Sequence, residues 1–251
     1  MSMLAARGAL DVIVDYPLGK FAFGVPLWRN QLDLKDVLEH ESALIQLYCS
    51  RISDLRDTIL FDCGADIGIF TAGVCAHSDA ITSVIALEPN PDALPILQRN
   101  MAALPFAARA VASAVADFTG SGKLESPAYD SDYTARFLVP GDGPIDVTTL
   151  DSFERFAGNV AIKIDVEGGE MEVLRGAGET IRSSACCVIA LEAHPLVVKR
   201  TGRDPVECLR FLSSIRPFRF TVSETREDLP LDRAVVRPGQ TGVLNIVCAS
   251  L

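Results

Sequence analysis

Apolar runs that end on carboxylates recur along this chain. Ile59-Leu60-Phe61 closes on Asp62 and passes into Cys63-Gly64-Ala65-Asp66-Ile67-Gly68, a turn with two glycines. Ile69 to Ala76 then has the makings of a helix, and a second run, Val84 to Leu87, ends on Glu88. Asn90-Pro91-Asp92 opens another helix with Pro at its first position, kinked or delayed by Pro95. A third strand is expected over Ala108 to Val115. Val147 to Leu150 is a strand leading into Asp151, Val160 to Asp165 a fourth buried strand, and Cys186 to Glu192 a fifth. Helices are expected over 170–183 and 204–215. The last strands, near 217–224 and 242–249, have no helix between them and read as an antiparallel pair at the sheet edge. Continuous apolar strands of this kind suit a parallel sheet covered on both faces.

The ends of the chain and one long connection read differently. Residues 10–28 contain one or two short strands. From Leu34 to Ile52 the spacing changes to three and four: Leu34, Val37, Leu38, Glu41, Ile45, Tyr48 and Ile52 share one helical face. Asp33 suits the N-cap and Asp36 the first turn. Glu41 interrupts the apolar stripe, either as a carboxylate at the edge of the buried face or as one reaching into a cofactor or substrate pocket. Residues 117–145 are rich in Gly, Ser, Asp, Pro and Tyr and too long for a compact connection, so a lid or a small β insertion is expected there. The domain reading is an N-terminal extension at 1–53 and one nucleotide-type domain at 54–251.

Composition narrows the function classes. The 251 residues carry 33 acidic and 23 basic side chains, a net charge of −10. That balance argues against a nucleic-acid partner, because phosphate contacts need clustered Lys and Arg. The seven cysteines form no CxxC pair, and several lie in apolar runs, which fits reduced core thiols in a cytoplasmic protein. No apolar stretch approaches the ~18 residues of a membrane span, and charge breaks the first residues too early for a signal peptide.

Strand, glycine turn, helix, strand, acid is how open α/β sheets build a nucleotide pocket at the strand carboxyl ends. The glycines let backbone approach the ligand and Glu88 accepts hydrogen bonds from ribose hydroxyls. A nicotinamide fingerprint needs glycines at 64, 66 and 69, where this chain has Gly64, Asp66 and Ile69. The acids Asp62 and Asp66 would repel a pyrophosphate but favour a sulfonium with an ammonium group. The turn therefore points to S-adenosyl-L-methionine. Asp62, Glu88, Asp165 with Glu167, and Glu192 all end strands, and carboxylates at four such ends are hard to attribute to packing.

The segments Phe61-Asp62-Cys63-Gly64-Ala65-Asp66-Ile67-Gly68, Leu87-Glu88-Pro89-Asn90-Pro91, Thr148-Thr149-Leu150-Asp151, Lys163-Ile164-Asp165-Val166-Glu167-Gly168-Gly169-Glu170 and Glu192-Ala193-His194-Pro195 resemble, in order, those of the FkbM-type S-adenosylmethionine-dependent methyltransferases. Asp66 departs from the family's usual Asn. The resemblance implies the class I methyltransferase (Rossmann-like) fold, a doubly wound seven-stranded sheet with its last strand antiparallel. It implies that Asp62, Gly64, Asp66 and Gly68 lie along the methionine and ribose part of the cofactor, that Glu88 and the adjoining Asn90 complete that set, and that Ser113 approaches the adenine. Asp165 falls between cofactor and acceptor. The acceptor class, a hydroxyl of a sugar, glycolipid or polyketide-type small molecule, comes from the resemblance alone.

A hydroxyl is a poor nucleophile and needs a base or a metal to take its proton. His194 is the base candidate on intrinsic pKa, with Asp165, Glu167 or Glu192 orienting it or acting instead. The same four side chains have the chemistry of an oxygen-rich divalent-cation site, and spacing leaves both open. Two rivals stand beside this reading: a nicotinamide-dependent oxidoreductase on a similar sheet, and a binding module that holds the cofactor without turnover.

Overall fold

The computed structural model describes residues 13–18, 21–26, 41–126, 136–153, 157–232, 234–236 and 239–251. The expected helical positions Leu34, Val37 and Leu38 and the caps Asp33 and Asp36 lie outside them. The chain opens with a hairpin of β1 (Ile13–Leu18) and β2 (Phe21–Pro26), followed by helix α1 (Ser42–Ile52). The central sheet takes β3 (Thr58–Cys63), β4 (Ile81–Leu87), β5 (Ala107–Val111), β10 (Val160–Ile164), β11 (Cys187–Ala193), β12 (Phe218–Val222) and β13 (Leu244–Ser250). Its seven strands run in the order β12-β13-β11-β10-β3-β4-β5. β13 is antiparallel to both neighbours, and the other central pairings are parallel. The class I methyltransferase architecture expected from the sequence is therefore present, with β13 inserted between β11 and β12.

Alternation sorts each strand between two apolar layers. In β10, Val160, Ile162 and Ile164 join a core with α4 (Glu170–Arg175), α5 (Gly178–Ser183) and α7 (Val206–Ile215). Ala161 faces the opposite layer beneath α1, α2 (Ile69–His77) and α3 (Leu94–Ala102). Tyr48 of α1 is fully buried there, and its hydroxyl lies 3.1 Å from the carbonyl oxygens of both Ile162 and Val188. The helix assigned to an N-terminal extension is thus packed into the main core. The hairpin is tied in by Asn100, whose amide exchanges hydrogen bonds with Gly24 and donates to the Ile67 carbonyl at 2.8 Å.

Three boundaries differ from the sequence reading. The third strand stops at Val111. Ser113 then donates to the Asp146 carbonyl at 3.0 Å, and β6 (Ala114–Val115) leaves for a second sheet. That sheet, ordered β6-β9-β7-β8, is built by β7 (Gly120–Glu125), β8 (Phe137–Pro140) and β9 (Ile145–Thr148). The long connection is thus a β insertion among its described residues, and the strand expected at 147–150 belongs to it. The helix expected over 170–183 is broken into α4 and α5. Asp151 causes the second start: its carboxylate accepts the N–H groups of Glu179 at 3.0 Å and Thr180 at 2.7 Å, capping α5 from outside. An unforeseen helix, α6 (Pro195–Thr201), follows β11.

Candidate active site

The turn after β3 shapes the floor of the site. Gly64 has φ 78° and Gly68 φ 90°, conformations that L side chains resist, and a Cβ at Gly64 would drive into the carbonyl oxygen of Asp165. Asp66 itself holds φ 49°. Its backbone N–H reaches Glu88 Oε2 at 2.7 Å, and the N–H of Asn90 reaches Glu88 Oε1 at the same distance. Glu88 therefore locks the two loops into one cradle. It is 7 % exposed, and burial pushes its carboxyl up to about 7 against those two N–H donors.

A cavity of about 1650 Å³ opens over this cradle, lined by Gly64, Asp66, Glu88, Asn90 and Ser113 on one side and by Asp165 and Glu167 on the other. Ligand pockets commonly run to about 300–1,000 Å³, so the space suffices for two reactants. The insertion walls it through Phe137, whose ring lies 5.1 Å from the Arg200 guanidinium of α6, and through Arg136, which donates to Asn90 Oδ1 at 3.0 Å. Arg200 also donates to the Glu167 carbonyl at 2.5 Å. Glu167 is held at φ 56°, a strained backbone of the kind that collects at functional sites.

Beneath Asp165 lies a charged cluster centred on Lys163. Lys163 is buried at 8 % exposure, and its Nζ donates to Asp165 Oδ2 at 2.8 Å. Burial alone would depress the ammonium, but Asp165, Asp62 and Glu41 outweigh it and the proton is held more tightly than usual. Burial also works against Asp165, yet Lys163 and a hydrogen bond with the Glu192 side chain bring its carboxyl below the ordinary range. Glu192 moves the opposite way, raised by burial and by Asp165, so this carboxyl pair shares one proton. Asp62, fully buried, is raised by burial and accepts the Thr71 hydroxyl at 2.6 Å. Its second oxygen and Glu41 Oε2 are sealed from solvent without a hydrogen-bond partner.

The sequence-derived residues are distributed unevenly around this geometry. Gly64, Asp66, Glu88, Asn90, Ser113, Asp165 and Glu167 line the large cavity. Asp62 lies below it, and Gly68 turns the chain into α2 against Leu97 and Met101. The Ser113 hydroxyl is committed to the carbonyls of Ala114 and Asp146. Glu41 and Glu192 line a second, smaller cavity behind Asp165. His194 lines neither. Its Nδ1 accepts the Leu196 N–H at 3.1 Å and caps α6. Lys163 and Arg200 were given no role from sequence. The Lys163 signal was a lone charge in an apolar strand; nothing pairs Arg200 with Phe137 before folding. Among the described residues no group of three or more His, Cys, Asp or Glu is arranged to hold a metal ion. Orphaned acid oxygens beside a glycine turn fit a sulfonium- and ammonium-bearing cofactor.

The FkbM methyltransferase domain matches residues 62–220. The chain belongs to the FkbM methyltransferase family. Hexuronic acid methyltransferase AglP of Haloferax volcanii is 26 % identical over 195 residues, covering 76 % of this chain and 73 % of that protein. The crystal structure of methyltransferase FkbM from Methylobacillus flagellatus superposes with a TM-score of 0.51 at 19 % identity, covering 85 % of this chain; this chain spans 60 % of that longer one. The structure of M. jannaschii TYW2 in complex with AdoMet gives a TM-score of 0.50 at 12 % identity, with 95 % and 84 % of the two chains covered. These two likenesses bear on the fold. For the FkbM family the methyl donor is S-adenosylmethionine, and no helix among the described residues is long and apolar enough to cross a membrane.

Proposed function

We propose that this protein transfers a methyl group from S-adenosylmethionine to a hydroxyl of a sugar-type small molecule. The observation that carries the reading is the position of Asp165: its backbone carbonyl packs against the glycine turn, its carboxylate accepts from Lys163, and the residue lines a cavity with room for an acceptor. The relation to a hexuronic acid methyltransferase favours a sugar among the possible acceptors.

In this reading Gly64, Asp66, Glu88 and Asn90 hold the nucleoside part of the cofactor. Each Glu88 oxygen already accepts one backbone N–H and keeps a lone pair for a ribose hydroxyl. The bound cofactor supplies an electrophilic methyl on a sulfonium. Asp165 accepts the hydrogen bond of the acceptor hydroxyl, orients its oxygen, and takes the proton as the methyl's bond to sulfur gives way to the new C–O bond. Lys163 keeps Asp165 ionised before the step. Phe137, Arg200 and Glu167 wall the acceptor side and exclude water. Asp165→Asn should cut the turnover number by roughly 10²–10⁴-fold, the usual share of a positioned base, with S-adenosylhomocysteine affinity little changed. A variant that methylates monosaccharide acceptors at the wild-type rate removes Asp165 from the mechanism.

A further inference from the structure

Among the described residues, the cations that line the large cavity are Arg136, Arg200 and Arg203. Arg203 is matched by Glu172 Oε1 at 2.6 Å. Arg136 is drawn to the loop after β4, where it donates to Asn90 Oδ1 at 3.0 Å with Asp92 Oδ2 3.8 Å away. Arg200 differs. It donates to a neutral acceptor, the Glu167 carbonyl, at 2.5 Å, while the Glu167 carboxylate stands 3.9 Å off, outside hydrogen-bond distance. A guanidinium has five N–H donors, so this contact leaves most of the fork for a ligand. Its position is nevertheless fixed. The Phe137 ring lies 5.1 Å from it, and Gly168, at φ 104°, lets α6 pack against the loop, since a Cβ there would press on Val197 and Thr201 at 3.2 Å. Asp165 and Glu167, the anchor of Arg200, are two residues apart, at most about 7 Å along the chain. One molecule of hexose size therefore reaches from Asp165 to Arg200.

We propose that the methyl acceptor carries an anionic group, a carboxylate or a phosphate ester, and that Arg200 binds this anion while the reacting hydroxyl faces Asp165. The inference rests on the methyltransferase reading above and adds to it the charge of the acceptor and the residue that reads it. Charge balance argues for it. The chain carries a net charge of −10, and Asp66, Asp165 and Glu167 line the cavity, so an entering anion is repelled wherever no local cation offsets them. A neutral sugar offers the guanidinium little that water does not. An anion gains charge-assisted and bidentate hydrogen bonds. Because Glu167 and Phe137 already fix Arg200, binding costs little side-chain freedom. The arrangement also serves the reaction: oxygens held by Arg200 are kept from competing with the hydroxyl for the methyl group.

The test uses the full chain saturated with S-adenosylhomocysteine and three probes built on one sugar: glucose, glucuronic acid and glucose 1-phosphate. Ligand-observed NMR titrations at neutral pH should show at least one of the two anions binding about tenfold or more tighter than glucose, and the better of them names the anion. Added salt should weaken the anions and spare glucose. Arg200→Gln should remove about tenfold or more of the preference, the scale of a lost charge-assisted hydrogen bond. Arg200→Lys, which keeps the charge without the planar fork, should restore part of it. Two anions that bind no better than glucose, or a preference that survives in Arg200→Gln, would overturn the inference and leave the methyl-transfer reading intact. If S-adenosylhomocysteine itself does not bind, the cofactor reading fails and the inference falls with it.

Discussion

Replacing Lys163 with Met tests whether one buried ammonium organises the acidic floor of the site. The side chain keeps its length and loses its charge. Breaking a buried ion pair by removing one partner costs about 3–5 kcal/mol, whereas exposed pairs are worth about 0–1 kcal/mol. The Lys163 side chain is 9 % exposed, but Asp165 keeps 32 % of its side-chain surface toward the cavity, which places the cost at the lower end, about 3 kcal/mol. For a chain of 251 residues that corresponds to a melting temperature lower by roughly 6–12 °C, read by calorimetry at pH 7. The pH dependence gives an independent check. Asp165 lies below its ordinary value of 3.8 in the folded protein, so its stabilising contribution is present above that value and is lost as pH falls through it. The gap between wild type and variant should therefore be widest near neutrality and shrink on acidification below about pH 4. Replacing Asp165 as well, in Lys163→Met with Asp165→Leu, should recover part of the loss, since the carboxylate bonded to Lys163 is then no longer stranded. A single variant melting within 2 °C of wild type, or a gap that grows in acid, refutes the idea that Lys163 holds this cluster together.

Other substitutions probe the cradle above it. Glu88→Ala removes the acceptor for two backbone N–H groups and, with it, the proposed ribose contact, so S-adenosylhomocysteine and 5′-methylthioadenosine should both weaken, by roughly 1–3 kcal/mol in calorimetry; unchanged affinity contradicts the ribose assignment. Gly64→Ala puts a methyl into the Asp165 carbonyl at a backbone angle of φ 78°, and should cost more than the ~1 kcal/mol of an ordinary left-handed alanine. Chemical denaturation that shows wild-type stability would mean the turn is looser than its geometry implies.

Much of this molecule was readable before folding, and the failures have specific causes. The strand ends at Asp62, Glu88, Asp165 and Glu192 are visible because buried strands tolerate charge only at their tips. The break after Val111 was not: Ala107 to Ala116 is a run of alanine and valine interrupted only by Arg109 and Ser113, with no Gly or Pro to mark an end, and what ends the strand is a hydroxyl contact to Asp146, 33 positions away. The α4–α5 break has the same character, since Asp151 caps α5 from 28 residues upstream. Helix α6 was legible in hindsight from Pro195 at its first turn. The capping role of His194 was not visible either, because intrinsic pKa says nothing of direction; its Nδ1 accepts the Leu196 N–H at the start of that helix. Glu41 could be placed on an apolar stripe from sequence, but only the fold shows that its neighbours are Lys163 and Glu192.

The most direct test of the account is a crystal structure of the full chain grown with S-adenosylhomocysteine. It should show the ribose hydroxyls within about 2.5–3.0 Å of the Glu88 carboxylate, with the sulfur facing Asp165 across the large cavity. Crystals saturated with the ligand that leave this cradle without density, or that seat the nucleoside away from Glu88, would contradict it.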